Sequence, residues 1–266
     1  MTGPHSSAHE RVRPDASDQT MTELLLLSNS TAPGKRFLEH ALDEIREALS
    51  SCRLLFIGFA SSDPDAYTEV MRQALAVLEV EVLGAHESAD PRRAIQEAEA
   101  IFVGGGNAFR LLRALDRLDA LGALGSTVRA GTPYLGASAG ANLACPTIRT
   151  TNDMPIVEPP TLCGLGLVPF QINPHYLDPD PGSTHQGETR TRRIEEFLEE
   201  NDVPVLGMRE GSWLHVSGRR IVLGGENGWR LFRCREEHLE VPSGTHLSWL
   251  LQWPARFDVT PVGHDQ

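Results

Sequence analysis

Short, wholly apolar runs alternate along this chain with stretches whose apolar residues recur every three or four positions. Residues 23–28 (ELLLLS) predict a buried strand, and residues 36–49 then place Phe37, Leu38, Ala41, Leu42, Ile45 and Leu49 on one helical face. Residues 53–60 give a second strand, 66–78 a second helix, 80–83 a third strand and 90–98 a third helix. Residues 100–103 run into a triple glycine, 108–118 read as helix, and 133–136 lead towards Ser138. Strands that are apolar on every residue need cover on both faces, because a sheet with one wet face would alternate. The expected fold class is therefore α/β, a doubly wound, mostly parallel sheet with helices on both faces. Beyond Cys145 the pattern loosens into a loop-rich stretch, followed by a charged helix over about 188–200. Short strands at 203–208, 212–216 and 220–223 come next, read as sheet completion plus an antiparallel edge. Residues 1–22 mix Pro, Ser, His and charge without periodicity and are expected to form a flexible tail. One domain is expected over 23–253, with a carboxyl-terminal tail over 254–266.

Composition narrows the function classes. With 24 Lys and Arg against 36 Asp and Glu, the formal charge is -12, so neither nucleic acid nor an anionic membrane is an expected partner. The four cysteines, Cys52, Cys145, Cys163 and Cys234, are far apart and form no CxxC pair, which fits a reducing cytoplasm better than a disulfide scaffold. Apolar runs such as 24–27 are far below the roughly 20 residues a membrane helix needs, and residues 1–21 hold no apolar signal core.

Two turns carry candidate chemistry. Gly136-Ala137-Ser138-Ala139-Gly140 is a G-x-S-x-G between a predicted strand and a predicted helix, the context that exposes a serine hydroxyl and aims the next amide at a developing oxyanion. The bland alternative is a small-residue turn whose serine caps the helix. Gly104-Gly105-Gly106-Asn107 follows another strand; Phe109 stands where the dinucleotide fingerprint requires glycine, so that motif fails. At the carboxyl end of a parallel strand, such a turn can bring a second amide towards Ser138. A serine nucleophile needs a base and an orienting acid. Among the ten histidines, His175 in Ile172-Asn173-Pro174-His175-Tyr176 follows an apolar run and is held by a proline; Asp153 and Glu210 are both acids at loop positions.

With these residues in view, the chain resembles the S51 family of serine peptidases over about residues 24–231. The blocks that carry the likeness are LLLLSNST, VGGGNAF, GASAGANLACPTIRTTNDMPIVEPP, QINPHY, GETRTRRI and VLGMREGSW. The resemblance implies a flavodoxin-like or class I glutamine amidotransferase-like sandwich, with Ser138 as nucleophile and His175 as general base. It implies an acid at Asp153, the first choice, or Glu210, and an oxyanion hole from the amides of Gly106 and Ala139. It also implies Asn107 at the substrate, a small Asp-Xaa peptide as that substrate, no metal or organic cofactor, and a homodimer. Recognition of an aspartate side chain asks for a bidentate arginine, for which the family pattern points to Arg190, with Arg149 in reserve. Two rivals are a cyanophycinase-like exopeptidase on β-Asp-Arg and a non-catalytic amidotransferase-like binding module. An α/β-hydrolase esterase fits poorly, since its histidine follows the acid late in the chain and here only 37 residues separate Ser138 from His175.

Overall fold

The computed structural model of the chain describes residues 22–49, 53–180, 182, 184 and 187–259, so residues 1–21 of the expected tail fall outside it. The apolar runs form β1 (Glu23–Leu27), β2 (Arg53–Ile57), β3 (Glu81–Gly84), β4 (Ile101–Val103) and β5 (Tyr134–Ala137). Between and after them lie α1 (Leu42–Ala48), α2 (Pro64–Leu75), α3 (Pro91–Gln96), α4 (Ala108–Arg117), α5 (Leu121–Arg129) and α6 (Ala139–Leu143). The second half supplies β6 (Gln171–Asn173), α7 (Arg190–Glu200), β7 (Val205–Met208), β8 (Ser212–Ser217), β9 (Arg220–Gly225), β10 (Trp229–Phe232) and β11 (Leu239–Val241). The main sheet has the order β3-β2-β4-β5-β1-β8-β9. Its first five strands are parallel, and β8 and β9 add the antiparallel edge.

The reason for the unbroken apolar strands is visible in how they pack. Leu25, Leu27, Leu54 and Phe56 face a core closed by Ile45 of α1 and Met71 and Leu75 of α2. Their neighbours Leu24, Leu26, Leu55 and Ile57 face the opposite core, closed by α3 to α6 and by residues of a second sheet. Each strand is thus buried on both sides, as the sequence pattern required. Helix starts follow local chemistry: Asp63, Asp90 and Asn107 each accept a backbone N–H across the first turn of α2, α3 and α4, and prolines open α2 and α3.

Three features depart from the sequence reading. The helix expected from residue 36 begins only at Leu42, because Leu38 takes a left-handed conformation (φ 58°) and a short 3-10 turn precedes α1. A second, four-stranded sheet of order β11-β10-β7-β6 replaces simple sheet completion. It packs one face on the main core and covers the other with Ile194 and Leu198 of α7. The boundary expected at residue 253 falls short of the packed chain: Arg256 pairs with Asp202 through both backbone and side chain, and Val259 N donates to Glu200 O. Among the described residues no helix is long and apolar enough to cross a membrane.

Candidate active site

Strands β1, β4 and β5 are parallel neighbours, so their carboxyl ends open on one side of the sheet, where loops converge in such folds. At the end of β5 the chain turns sharply through Ser138, whose φ of 51° and ψ of -107° are a strained conformation for a residue with a side chain. The Ser138 amide donates to Leu27 O at 3.0 Å, which fixes the turn to β1. Its hydroxyl makes no cap bond to α6. Instead it lies 2.9 Å from His175 Nε2. The cap reading of this serine is therefore not the arrangement the chain adopts.

The small residues around Ser138 have a steric reason. A Cβ on Gly140 would sit 2.1 Å from Val103 O, so α6 can lie this close to β4 only with glycine there. Gly140→Ala is expected to lose about 3 kcal/mol or more of stability, read by chemical denaturation, because backbone rather than a flexible side chain blocks the new methyl.

His175 is delivered by β6 and Glu210 by β7. These two strands are parallel, with Asn173 aligned to Gly207, so the residues just past them emerge side by side. His175 Nδ1 lies 3.0 Å from Glu210 Oε1. The backbone around the imidazole is tied down: His175 N donates to Ser28 Oγ at 3.0 Å, Ser28 Oγ donates to Met208 O at 2.9 Å, and Asn152 Nδ2 donates to Pro174 O at 2.7 Å. Arg209, next to Glu210, donates from Nε and Nη2 to the Asp178 carboxylate at 2.6 and 2.9 Å, and so joins the loop after His175 to the turn that carries Glu210.

The contact to the imidazole thus goes to Glu210, and Asp153, the first choice from the sequence, is engaged elsewhere. Its Oδ2 accepts from Ala108 N at 2.7 Å and from Thr151 Oγ1 at 2.9 Å, which places the carboxylate at the positive end of α4.

Two amides beside the elbow, those of Ala139 and Gly106, have no backbone acceptor among the described residues. Ala139 N opens α6 and has no acceptor one turn earlier in its own helix. Gly106 takes a φ of 130° and lies so close to Ala60 that a Cβ would meet Ala60 O at 2.6 Å, while a Cβ on Gly105 would come within 3.2 Å of Ser138 Cβ. Among the described residues no backbone acceptor takes the Gly106 N–H. Tyr67 braces the turn by accepting the Gly105 N–H at 2.9 Å, and burial raises its phenol above the ordinary value, so the hydroxyl stays protonated.

A cavity of about 530 Å³ opens before Ser138 and His175, lined also by Ser30, Tyr67, Gly106 and Arg110. Asn107 lines it too, with its side chain engaged in the scaffold: Oδ1 caps α4 and Nδ2 donates to Met154 O at 2.8 Å. Arg149 is drawn away from this space by an ion pair with Asp258 at 2.9 Å and by stacking over Phe197, so the reserve candidate for the substrate carboxylate is not at the site. Arg190 stands at the first turn of α7, beyond the residues lining the cavity. Burial and the neighbouring Arg193 lower its basicity, and Asp153 opposes them. Sequence reasoning gave no role to Ser28, Ser30, Tyr67 or Arg110. The first two follow β1 in a loop whose position beside the elbow becomes visible only once β1 pairs with β5.

Comparison with known proteins places this geometry in context. Peptidase family S51 matches residues 24–224. Peptidase E of Streptomyces coelicolor is 60% identical over 236 residues, 88% of this chain and 97% of that protein. Peptidase E of Salmonella typhimurium is 49% identical over 226 residues, 84% of this chain and 98% of that one. A probable alpha-aspartyl dipeptidase of Drosophila melanogaster is 45% identical over 233 residues, 86% and 97% respectively. Among solved structures, a putative peptidase E from Listeria monocytogenes superposes with a TM-score of 0.60 at 24% identity, covering 78% of this chain and all of that one. At this identity the superposition speaks for the shared α/β fold.

Proposed function

The chain belongs to peptidase family S51, and on that premise we propose that it removes aspartate from Asp-Xaa dipeptides, with Ser138 as nucleophile, His175 as base and Glu210 as the orienting acid. It is a serine-type dipeptidase. The observation that carries the assignment of roles is the continuous hydrogen-bonded chain from Ser138 Oγ to His175 Nε2 (2.9 Å) and from His175 Nδ1 to Glu210 Oε1 (3.0 Å). With Nδ1 donating to the carboxylate, Nε2 is left as an acceptor and can take the serine proton.

Ser138 Oγ then bonds to the aspartyl carbonyl carbon as its proton passes to His175 Nε2, and the carbonyl electrons move onto oxygen. The amides of Gly106 and Ala139 hold that oxyanion. Collapse of the tetrahedral adduct breaks the peptide C–N bond, and the imidazolium returns the proton to the leaving amine. Water, activated by the same imidazole, cleaves the aspartyl ester by the reverse roles. Glu210 stabilises the imidazolium that forms in each half.

The aspartate side chain is assigned to Arg190, following the family pattern and supported by an absence of any ion pair to it within 4 Å among the described residues. The peptide is expected to meet the enzyme in the cytoplasm, where the free thiols of Cys145, Cys163 and Cys234 are at home, and a homodimer is the assembly proposed with this reading. Hydrolysis of Asp-Leu against Glu-Leu, Ala-Leu and amino-blocked Asp-Leu tests the proposal. Leucine release from Asp-Leu alone is the expected outcome. Arg190→Ala is expected to lower kcat/KM for Asp-Leu by roughly 100-fold, the scale of one charge-assisted carboxylate contact. Unchanged Asp-Leu hydrolysis in this variant would remove Arg190 from the assignment.

A further inference from the structure

The cavity before Ser138 contains a cation that the steps above leave idle. Arg110 lies in the first turn of α4, three residues after the capping Asn107, at the end of a helix where the dipole disfavours positive charge. Its side chain lines the same cavity as Ser138 and His175. Among the described residues no carboxylate lies within ion-pair distance of it, although the protein carries a large excess of acids and most of its other arginines are paired. Among the described residues the only hydrogen bond of the guanidinium is a long one, Nη1 to Ala60 O at 3.4 Å. Ala60 O also accepts the Asn107 N–H and is the atom against which Gly106 is pressed, so the guanidinium is anchored next to the turn that holds the oxyanion donor. A half-buried, unpaired guanidinium in a concave site presents a fork of donors suited to a carboxylate.

We propose that Arg110 is the subsite for the terminal α-carboxylate of the leaving residue, and so the feature that confines the enzyme to dipeptides. The inference rests on the reading of the protein as an Asp-Xaa dipeptidase. Such a substrate carries two carboxylates, and Arg190 is assigned the side chain, which leaves the terminal one. That group lies about one residue span, ~3.5 Å of extended chain, beyond the scissile carbon. In a tripeptide the same position is a neutral amide, which leaves the guanidinium without its anion and forfeits the charge-assisted bonds.

The test uses the full chain carrying Ser138→Ala, so that ligands bind without turnover, and titrates Asp-Leu, Asp-Leu-amide, Asn-Leu, Ala-Leu and Ala-Leu-amide by calorimetry. A preference for free acid over amide of roughly 30-fold is expected in both the Asp and the Ala series. Adding Arg110→Gln should reduce that preference to less than about 3-fold by weakening the acids and leaving the amides unchanged, while Arg110→Lys, which keeps charge and loses the fork, should fall between. The proposal is overturned if the starting chain shows no acid preference, if Arg110→Gln keeps it, or if that change weakens acid and amide alike. It is also overturned if Arg110→Gln erases discrimination of Asp-Leu from Asn-Leu instead, since Arg110 would then read the side chain. Equal binding of the Asp and Ala series with the acid preference intact would count against aspartate selectivity alone.

Discussion

Ser138→Ala is expected to lower Asp-Leu turnover by about 10⁴- to 10⁶-fold while leaving the fold and dipeptide binding in place. The hydroxyl is the only atom lost, and its hydrogen-bond partner is the imidazole rather than any group that holds the turn. The turn is fixed by the Ser138 backbone, through its amide to Leu27 O and its carbonyl to Asn142 N, and alanine keeps both bonds. The unusual φ of 51° is no harder for alanine than for serine, so the melting temperature should move by only a few degrees. Residual leucine release above about one part in a thousand of the parent rate, in protein free of contaminating peptidase, would mean that another nucleophile does the chemistry. Because binding survives, the same variant serves as the vehicle for measuring substrate subsites.

Much of the fold was legible because the main sheet is buried on both sides. A strand such as β1 must then be apolar at every position, and a run of four leucines bounded by polar residues has few other readings. The second sheet was not legible for the converse reason: β6 and β11 have three residues each, too short to show any period. That loss carries over to the site. His175 and Glu210 are 35 residues apart, and they meet only because β6 and β7 pair in parallel with Asn173 opposite Gly207. A reader of the chain who does not know this pairing sees two loop acids and has no physical basis for ranking Glu210 above Asp153. Arg110 was hidden differently. On the sequence it is one of several arginines on an amphipathic helix, and its distinction lies in lining the serine cavity with no acid paired to it among the described residues.

The two acids part company when each is neutralised without change of shape. Glu210→Gln is expected to lower kcat by about 10² to 10³ with little change in KM. The amide cannot stabilise the imidazolium, and by offering an N–H to Nδ1 it favours the tautomer that carries its proton on Nε2, where the serine needs an acceptor. A loss near 10⁴ belongs to deeply buried acids, and the Glu210 side chain is 45% exposed, so water screens part of its charge. Asp153→Asn should act on another quantity. Its carboxylate sits on the Ala108 amide and the Thr151 hydroxyl, where an asparagine oxygen can still accept, it makes no hydrogen bond to the imidazole among the described residues, and its charge is felt by Arg190. The expected result is a change in KM for Asp-Leu with kcat held within about 10-fold, since substrate binding is altered and the proton path is not. Steady-state kinetics of the two variants side by side decide the matter through the split between kcat and KM. A larger fall in kcat for Asp153→Asn than for Glu210→Gln would transfer the orienting role to Asp153 and would require the loop around it to reach His175 once substrate is bound.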